Sequence, residues 1–484
     1  MKLIGRAKEQ EILKELLNSD KAEFLAVYGR RRVGKTFLIR EYFKNKNVLF
    51  FNSTGTKDGY LIEQIKHFTE EISKVFYNNI SIIPGKNWDD TFNILTKALT
   101  NISPRKKVVL FLDELPWMAT KNSKLLQTLD YYWNQHWSRN PRIKLIICGS
   151  SATWIIDKII SNRGGLHNRI TQQIQLKPFN LKEVAAFFNN KQIKLTHKQI
   201  CQIYMTMGGI PHYLGYIKKN LSAAQNIDAL AFTKDGLLTQ EFDNLFASLF
   251  QMHELCIELI MLIAEYRSGI SQEEIFKKIG KGIKGYSGLQ KLKELETAGF
   301  IAKYIPYQHS KKGIYYRIID EYTLFYLKWI RPINDSLLSE ARPSGYFEAQ
   351  QNTPKWYNWT GYAFEAICYK HINQIRETLG LDVLSIPYPW RFNSRIDDRY
   401  GAQIDLLFDR QDDSITICEI KFTNESFIID KPYADDLERK IQVFKDVTKT
   451  KKQIFLSVIS ANGVRKSKYL DKMVSQVVTL DDLF

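Results

Sequence analysis

The sequence predicts an α/β protein of three domains. A parallel sheet followed by a helical stretch spans residues 1–235, a winged helix-turn-helix spans 240–330, and a smaller α/β domain spans 345–484. Three observations predict this. In the first half, short continuous apolar runs alternate with amphipathic stretches, the pattern of doubly buried strands joined by helices. In the middle, three helical patterns precede two alternating segments around a polar turn, the order of a winged helix. In the last section a helical stretch precedes two apolar strands that carry carboxylates. At roughly 100–200 residues per domain, 484 residues suit this count.

Taken in order, Phe24–Tyr28, Val48–Asn52, Val108–Asp113, Lys144–Gly149 and Ile170–Leu176 are the candidate strands of the first sheet. Lys8–Leu17 and Lys124–Trp137 space their apolar residues three and four apart and predict helices. From Asn180 to Lys234 the pattern is helical, broken at Gly208-Gly209-Ile210-Pro211. Helices are predicted at His253–Glu265, Ser271–Lys278 and Tyr286–Ala298, the last ending at Gly299, with strands at Ile301–Tyr307 and Ile314–Ile319. The stretch Arg331–Trp356, with Pro332, Pro343 and Pro354, reads as a linker. Beyond it the pattern predicts a helix over Trp359–Leu379 and a strand pair, Ala402–Asp409 and Ser414–Phe422.

Composition excludes several classes. Hydrophobic residues at 44% and charged residues at 25% are ordinary globular usage, not that of a disordered or fibrous chain. No apolar run approaches the roughly 18 residues of a membrane span, and charge comes too early at the N-terminus for a signal peptide. Five cysteines, widely spaced and without a C-x-x-C pair, predict reduced, buried thiols in a cytoplasmic protein and argue against structural zinc. The net charge of +17 is uneven. Residues 1–250 carry 36 basic and 21 acidic side chains, a net +15; residues 251–345 carry +3 and residues 346–484 carry −1. If nucleic acid is a partner, this distribution points to the first half as the gripping surface.

Gly29-Arg30-Arg31-Arg32-Val33-Gly34-Lys35-Thr36 satisfies G-x-x-x-x-G-K-[ST] between an apolar strand and a helix that begins at Phe37. Backbone N–H groups of such a loop close around phosphates, and the helix N-terminus favours negative charge. The segment Gly29–Phe37 is therefore the candidate site for ATP or ADP, with Lys35 on the β- and γ-phosphates and Thr36 on Mg²⁺. The strand Val108–Asp113 delivers Asp113 as the second Mg²⁺ residue, and Glu114 as the base for the attacking water. Ser150 and Ser151 end another strand and either sense the γ-phosphate or cap the next helix. Arg163 and Arg169 are candidates for stabilising transition-state charge, in cis or from a neighbouring subunit of a homo-oligomer.

These segments resemble the archaeal- and bacterial-type ATPase family within the AAA+/STAND branch of P-loop ATPases. The resemblance rests on Gly29–Thr36, Phe111-Leu112-Asp113-Glu114-Leu115-Pro116-Trp117, Cys148-Gly149-Ser150-Ser151 and Gly208-Gly209-Ile210-Pro211. It implies a helical lid over the nucleotide, with Pro211 and its neighbours against adenine or ribose. A plain helix-breaking turn explains the same four residues. Residues 240–330 resemble the winged helix that follows the ATPase module in this branch. Lys291 and Lys293 on its third helix, and Lys311 and Lys312 in its wing, are candidate DNA contacts; such winged helices also serve as packing domains.

In the last section Asp405 falls inside one apolar strand. Glu419 and Lys421 lie two apart, on one face of the next. Carboxylates and a lysine among apolar neighbours need a partner, and a divalent metal on Asp405, Glu419 and the Ile420 carbonyl would supply it, with Lys421 acting on the attacking water. A buried ion pair between Lys421 and either acid is the alternative. The set resembles the PD-(D/E)XK nuclease superfamily, which adds Glu365 on the preceding helix; Gln403-Ile404 stands where the namesake proline would. Lys440, in Asp436–Lys445, is a candidate for a further positive group near the scissile phosphate, though an ordinary helix-surface lysine is the favoured reading. Together the motifs predict an ATP-hydrolysing protein whose nucleotide state gates a Mg²⁺-dependent nuclease-like domain acting on DNA. A regulatory switch that binds DNA or protein without cutting is the other reading.

Overall fold

The computed structural model describes residues 3–161, 166, 168–250, 252–279, 286–309, 313–334, 345–392 and 401–484. The chain divides into two compact units, Met1–Pro178 and Phe179–Phe484.

The first unit is built on five parallel strands: β1 (Glu23–Tyr28), β2 (Val48–Thr54), β3 (Lys107–Asp113), β4 (Ile143–Gly149) and β5 (Gln172–Gln175), in the spatial order β2-β3-β4-β1-β5. Parallel pairing brings their carboxyl ends to one edge, with Thr54 beside Asp113 and Tyr28 beside Gly149. β3 and β4 are almost wholly buried, as their unbroken apolar runs predict. β5 is shorter than the predicted Ile170–Leu176. It is an edge strand reading Gln-Gln-Ile-Gln, and within it only Ile174 turns into the core. Sequence periodicity gave no location for the helices Leu61–Phe76 and Trp88–Thr100. They cover one sheet face with Phe68, Trp88 and Phe92, against Phe51 and Trp137. The predicted helix Lys124–Trp137 is an α-helix over Leu125–Tyr132 that widens into a π-helical turn at Trp133–Trp137.

The second unit opens with helices at Leu181–Asn190, His197–Met207, Pro211–Leu214 and Ala223–Ala231. Three of them begin with reciprocal capping boxes at Asn180/Glu183, Thr196/Gln199 and Ser222/Gln225. Gly209 is required sterically, since a Cβ there would stand 1.8 Å from the Phe179 carbonyl oxygen. The helices His253–Ala264, Gln272–Ile279 and Tyr286–Thr297 follow, with a three-stranded antiparallel sheet, β6-β8-β7: β6 (Ile270–Ser271), β7 (Ile301–Tyr304) and β8 (Tyr315–Ile318). Lys311 and Lys312 lie outside the described residues.

The described part of the expected linker is mostly helical. Tyr346–Gln350 is a helical turn whose Phe347 is fully buried against Phe325, Trp329, Trp356 and Trp359. Asp228 anchors it by accepting hydrogen bonds from the backbone N–H groups of Phe347 (2.7 Å) and Glu348 (3.1 Å). Pro354 does not interrupt structure but starts a helix, with Thr353 as its cap. The predicted single helix Trp359–Leu379 is two, Pro354–Lys370 and Ile372–Thr378, broken at the buried His371.

A second five-stranded sheet, ordered β13-β12-β11-β10-β9, completes the unit: β9 (Ile386–Phe392), β10 (Ala402–Asp409), β11 (Ser414–Lys421), β12 (Gln453–Ser460) and β13 (Val474–Thr479). The predicted pair β10/β11 is antiparallel, with Leu406 opposite Cys418, whereas β11/β12 and β12/β13 are parallel. The helix Lys431–Thr448 makes the crossover between β11 and β12. All five cysteines are buried free thiols, and no helix among the described residues is long and apolar enough to cross a membrane.

Candidate functional site

Two sites gather the chemistry-bearing residues. The first lies at the carboxyl edge of the parallel sheet. Gly29 leaves β1 at φ +147°, where a Cβ would stand 2.3 Å from the Leu176 carbonyl oxygen, so only glycine lets the loop turn there. The loop feeds the helix Lys35–Phe43, two residues longer at its start than the apolar pattern alone suggests. Lys35 is only 5% exposed, and its Nζ donates to the carbonyls of Gly29 (2.9 Å) and Arg30 (3.1 Å). Among the described residues no carboxylate lies within 4.0 Å of it. A buried lysine held by neutral oxygens alone fits an incoming phosphate.

Thr36 Oγ1 donates to Asp113 Oδ2 at 2.9 Å, so the hydroxyl and the carboxylate expected on Mg²⁺ already stand together. This hard-oxygen pair suits that ion. Glu114 sits in the left-handed region at φ 48°. Its Oε2 accepts from both the backbone N–H and the hydroxyl of Ser150, each at 2.9 Å. Ser150 therefore belongs to the site. Ser151 precedes the helix Ala152–Ile155 without a side-chain capping bond.

Val33 is buried, Arg30 is almost so, Arg31 and Arg32 are partly exposed, and Phe37 is exposed. Sequence reasoning missed Arg6. From before the first helix it donates to the Lys177 carbonyl (2.6 Å) and the Val33 carbonyl (3.3 Å), bracing the loop; no motif marks it. Arg169 is exposed, and Arg163 lies outside the described residues. Pro211 starts its short helix in the second unit.

The second site lies on β10 and β11. Against β9, β10 carries one extra residue between Ile404 and Leu407, a bulge that re-aims Asp405. Asp405 Oδ2 accepts from the Ile420 N–H at 3.3 Å. Glu419, 4% exposed, accepts from Lys421 Nζ (2.9 Å), Lys440 Nζ (3.2 Å) and the Tyr433 hydroxyl. Lys440 is thus no surface lysine: the helix Lys431–Thr448 turns it inward onto Glu419, beside Tyr433. Periodicity marks a helix face but not what that face meets.

The three acids differ in environment. Burial raises Glu365, and the Asp405 carboxylate raises it further, to about 8. Burial and then Glu419 raise Asp405 to about 6. Burial also pushes Glu419 up, but Lys421 and Lys440 outweigh it and hold Glu419 below its usual value. An ion pair therefore accounts for Glu419 alone. Among the described residues no Lys, Arg or His nitrogen lies within 4.0 Å of Asp405 or Glu365, so these two carboxylates fit a cation supplied from outside. No cluster of three or more His, Cys, Asp or Glu among the described residues is arranged to hold a metal by itself.

The parallel sheet with its loop, Thr36–Asp113 pair and Glu114 defines a P-loop ATPase domain. Residues 3–217 match the family described as the ATPase domain predominantly from Archaea, which supports ATP binding and hydrolysis by this part of the chain. Over 411 residues the chain is 27% identical to an uncharacterized protein of Methanocaldococcus jannaschii, covering 81% of this chain and 83% of that one. Over 45 residues it is 44% identical to an uncharacterized ATP-binding protein of the same organism, covering 9% of this chain and 76% of the other. Among solved structures it is similar to the Walker-type ATPase of Pyrococcus abyssi at 16% identity and a TM-score of 0.46, covering 66% of this chain and 95% of that one.

Proposed function

We propose that this protein couples ATP hydrolysis to a Mg²⁺-dependent nuclease-like site acting on DNA. In this reading residues 1–235 form the ATPase with its lid, 240–330 a winged helix, and 345–484 a PD-(D/E)XK-like domain. At the first site Lys35 and the loop amides hold the phosphates, Thr36 and Asp113 hold Mg²⁺, and Glu114 takes the proton of the attacking water. Ser150, through two hydrogen bonds to one carboxylate oxygen, fixes where Glu114 points. When bound, Mg²⁺ supplies positive charge against the phosphate oxygens.

At the second site Asp405, Glu419 and the Ile420 carbonyl would hold the divalent cation, with Glu365 beside them. Lys421 and Lys440, both on Glu419, orient it and leave cationic charge next to a scissile phosphate. The observation that carries this reading is Asp405, half-buried, aimed by a bulge and without a cationic partner. Structural carboxylates buried in this way are normally paired.

Lys35→Ala is expected to abolish ATP turnover. Asp405→Ala is expected to abolish cutting of labelled DNA in Mg²⁺ or Mn²⁺ with ATP present, while ATP turnover persists. Wild type that cuts neither DNA nor RNA under any of these conditions would sink the nuclease reading and leave the regulatory switch.

A further inference from the structure

Three arginines flank the acid site, and two of them, Arg317 and Arg267, lie outside the last 139 residues. Arg317, on β8, lays its guanidinium 3.5 Å above the ring of Tyr369 and 5.6 Å from that of Tyr304. Tyr369 belongs to the helix Pro354–Lys370, one turn from Glu365, and its hydroxyl donates to the backbone carbonyl of Asp405. Arg317 is half-buried, and no carboxylate among the described residues stands within 4.0 Å of it. Its charge is close enough to Glu365 to oppose the rise in that group's pKa.

Two further arginines continue the same edge. Arg267, exposed, lies 6.0 Å from the ring of Tyr362, on the same helix face as Glu365. Arg391, on β9, donates to Ser268 Oγ at 2.6 Å, and Tyr304 donates its hydroxyl to the Ser268 carbonyl. The three guanidinium groups thus frame one patch with Tyr304, Tyr362 and Tyr369. A guanidinium stacked on an aromatic ring, half-desolvated and without a carboxylate, is organised to receive a phosphate. Residues 346–484 carry a net charge of −1, so they have little general attraction for a polyanion.

We propose that Arg317, Arg267 and Arg391 form a phosphate track that seats a nucleic-acid backbone beside Glu365 and Asp405. This rests on the reading of the acid site as a phosphodiester-cutting site, and it assigns the grip on substrate to the small three-stranded sheet and β9. Arg317 and its companions are positioning residues: they hold the strand's phosphates and touch no reacting atom.

The test is fluorescence anisotropy of labelled single-stranded DNA and RNA of one sequence on the full-length chain, in EDTA, at 50 and 200 mM salt. Each phosphate contact to a single strand contributes about 0.7 to the salt slope, or roughly 2.6-fold in affinity across that fourfold salt range. Arg317→Gln and Arg267→Gln should each lower the ratio of the two Kd values by about that factor, equally on DNA and RNA; Arg317→Lys should keep most of it. Should Arg317→Gln fail to fold, the exposed Arg267 gives the same readout. Glutamine variants that keep both the wild-type Kd and its salt dependence overturn the track, as does wild type that binds neither probe. A loss confined to one of the two probes overturns the assignment to phosphate. Because binding is read without metal, a chain that binds with these slopes and never cuts sinks the nuclease reading and leaves the track standing.

Discussion

If Asp405 and Glu365 await a cation, binding one must displace protons, and the count follows from the site. With Glu365 at about 8 and Asp405 at about 6, roughly 0.9 and 0.1 of a proton reside on them at pH 7, so divalent-cation binding should release about one proton. At pH 5.5 the release should rise to about 1.8, and at pH 9 it should fall to about 0.1, each from the same two values. The apparent affinity should accordingly be about tenfold weaker at pH 7 than at pH 9, since removing the Glu365 proton costs about 1.4 kcal/mol per unit. The assay is calorimetry with Mn²⁺ in buffers of different ionisation enthalpy, without nucleotide. Glu365→Gln serves as the control that subtracts every other site; its release at pH 7 should fall to about 0.1 of a proton, the share carried by Asp405. Mn²⁺ binding with no buffer dependence, or with the same dependence in Glu365→Gln, would refute the reasoning.

His371 and Phe347 carry the remaining predictions. His371 is fully buried, with Nδ1–H donating to the Ile367 carbonyl (2.8 Å) and Nε2 accepting from the Leu181 N–H (3.1 Å), and burial lowers its pKa to about 4. The folded value lies below the unfolded 6.5, so its contribution is complete above pH 6.5 and is lost as pH falls towards 4, by about 3 kcal/mol. Urea midpoints should therefore fall more steeply over that window in wild type than in His371→Gln, and parallel profiles would count against the assignment. Phe347→Ala should cost about 3–5 kcal/mol, because five aromatic rings, those of Phe232, Phe325, Trp329, Trp356 and Trp359, close around the side chain. A change of under one degree in the melting temperature would mean that the segment packs loosely.

The first site was legible because its residues are contiguous. Eight residues from Gly29 to Thr36 specify loop and helix start together, and Asp113-Glu114 ends a strand that nothing but a buried sheet would make so apolar. What joins them across the sheet is equally a matter of register, and parallel pairing supplied it. The second site was half legible. Asp405, Glu419 and Lys421 stood out as charges in apolar strands, but the bulge that turns Asp405 leaves no mark in an alternating pattern. Lys440 and Tyr433 reach Glu419 from a helix some 14 to 21 positions on, and helix periodicity names no partner across such a gap. The prolines of 331–356 misled for a related reason: Pro354 is a breaker inside a helix but a good first residue, and only the cap at Thr353 distinguishes the two.

Net charge misleads in the same way, because it counts side chains without asking what they already hold. Several basic residues of the strongly positive first half bind backbone carbonyls inside their own unit. Lys144, fully buried, donates to the Ser19 carbonyl at 2.8 Å; Lys107 donates to that of Leu17 at 2.6 Å; Arg142 donates to those of Ile102 and Ser103 at 3.0 and 2.9 Å. Arg6 and Lys35 hold the phosphate loop. Such groups raise the +15 of residues 1–250 without presenting all of it to a polyanion. Residues 251–345 total only +3, yet they provide Arg317, stacked on Tyr369 and without a carboxylate within 4.0 Å. A weakly charged segment that places one uncompensated guanidinium beside two unpaired carboxylates has more to offer a phosphodiester than a strongly charged one whose cations are engaged. That is why the salt slope of Arg317→Gln, and not the net charge, is the measurement that tests the proposed grip on nucleic acid.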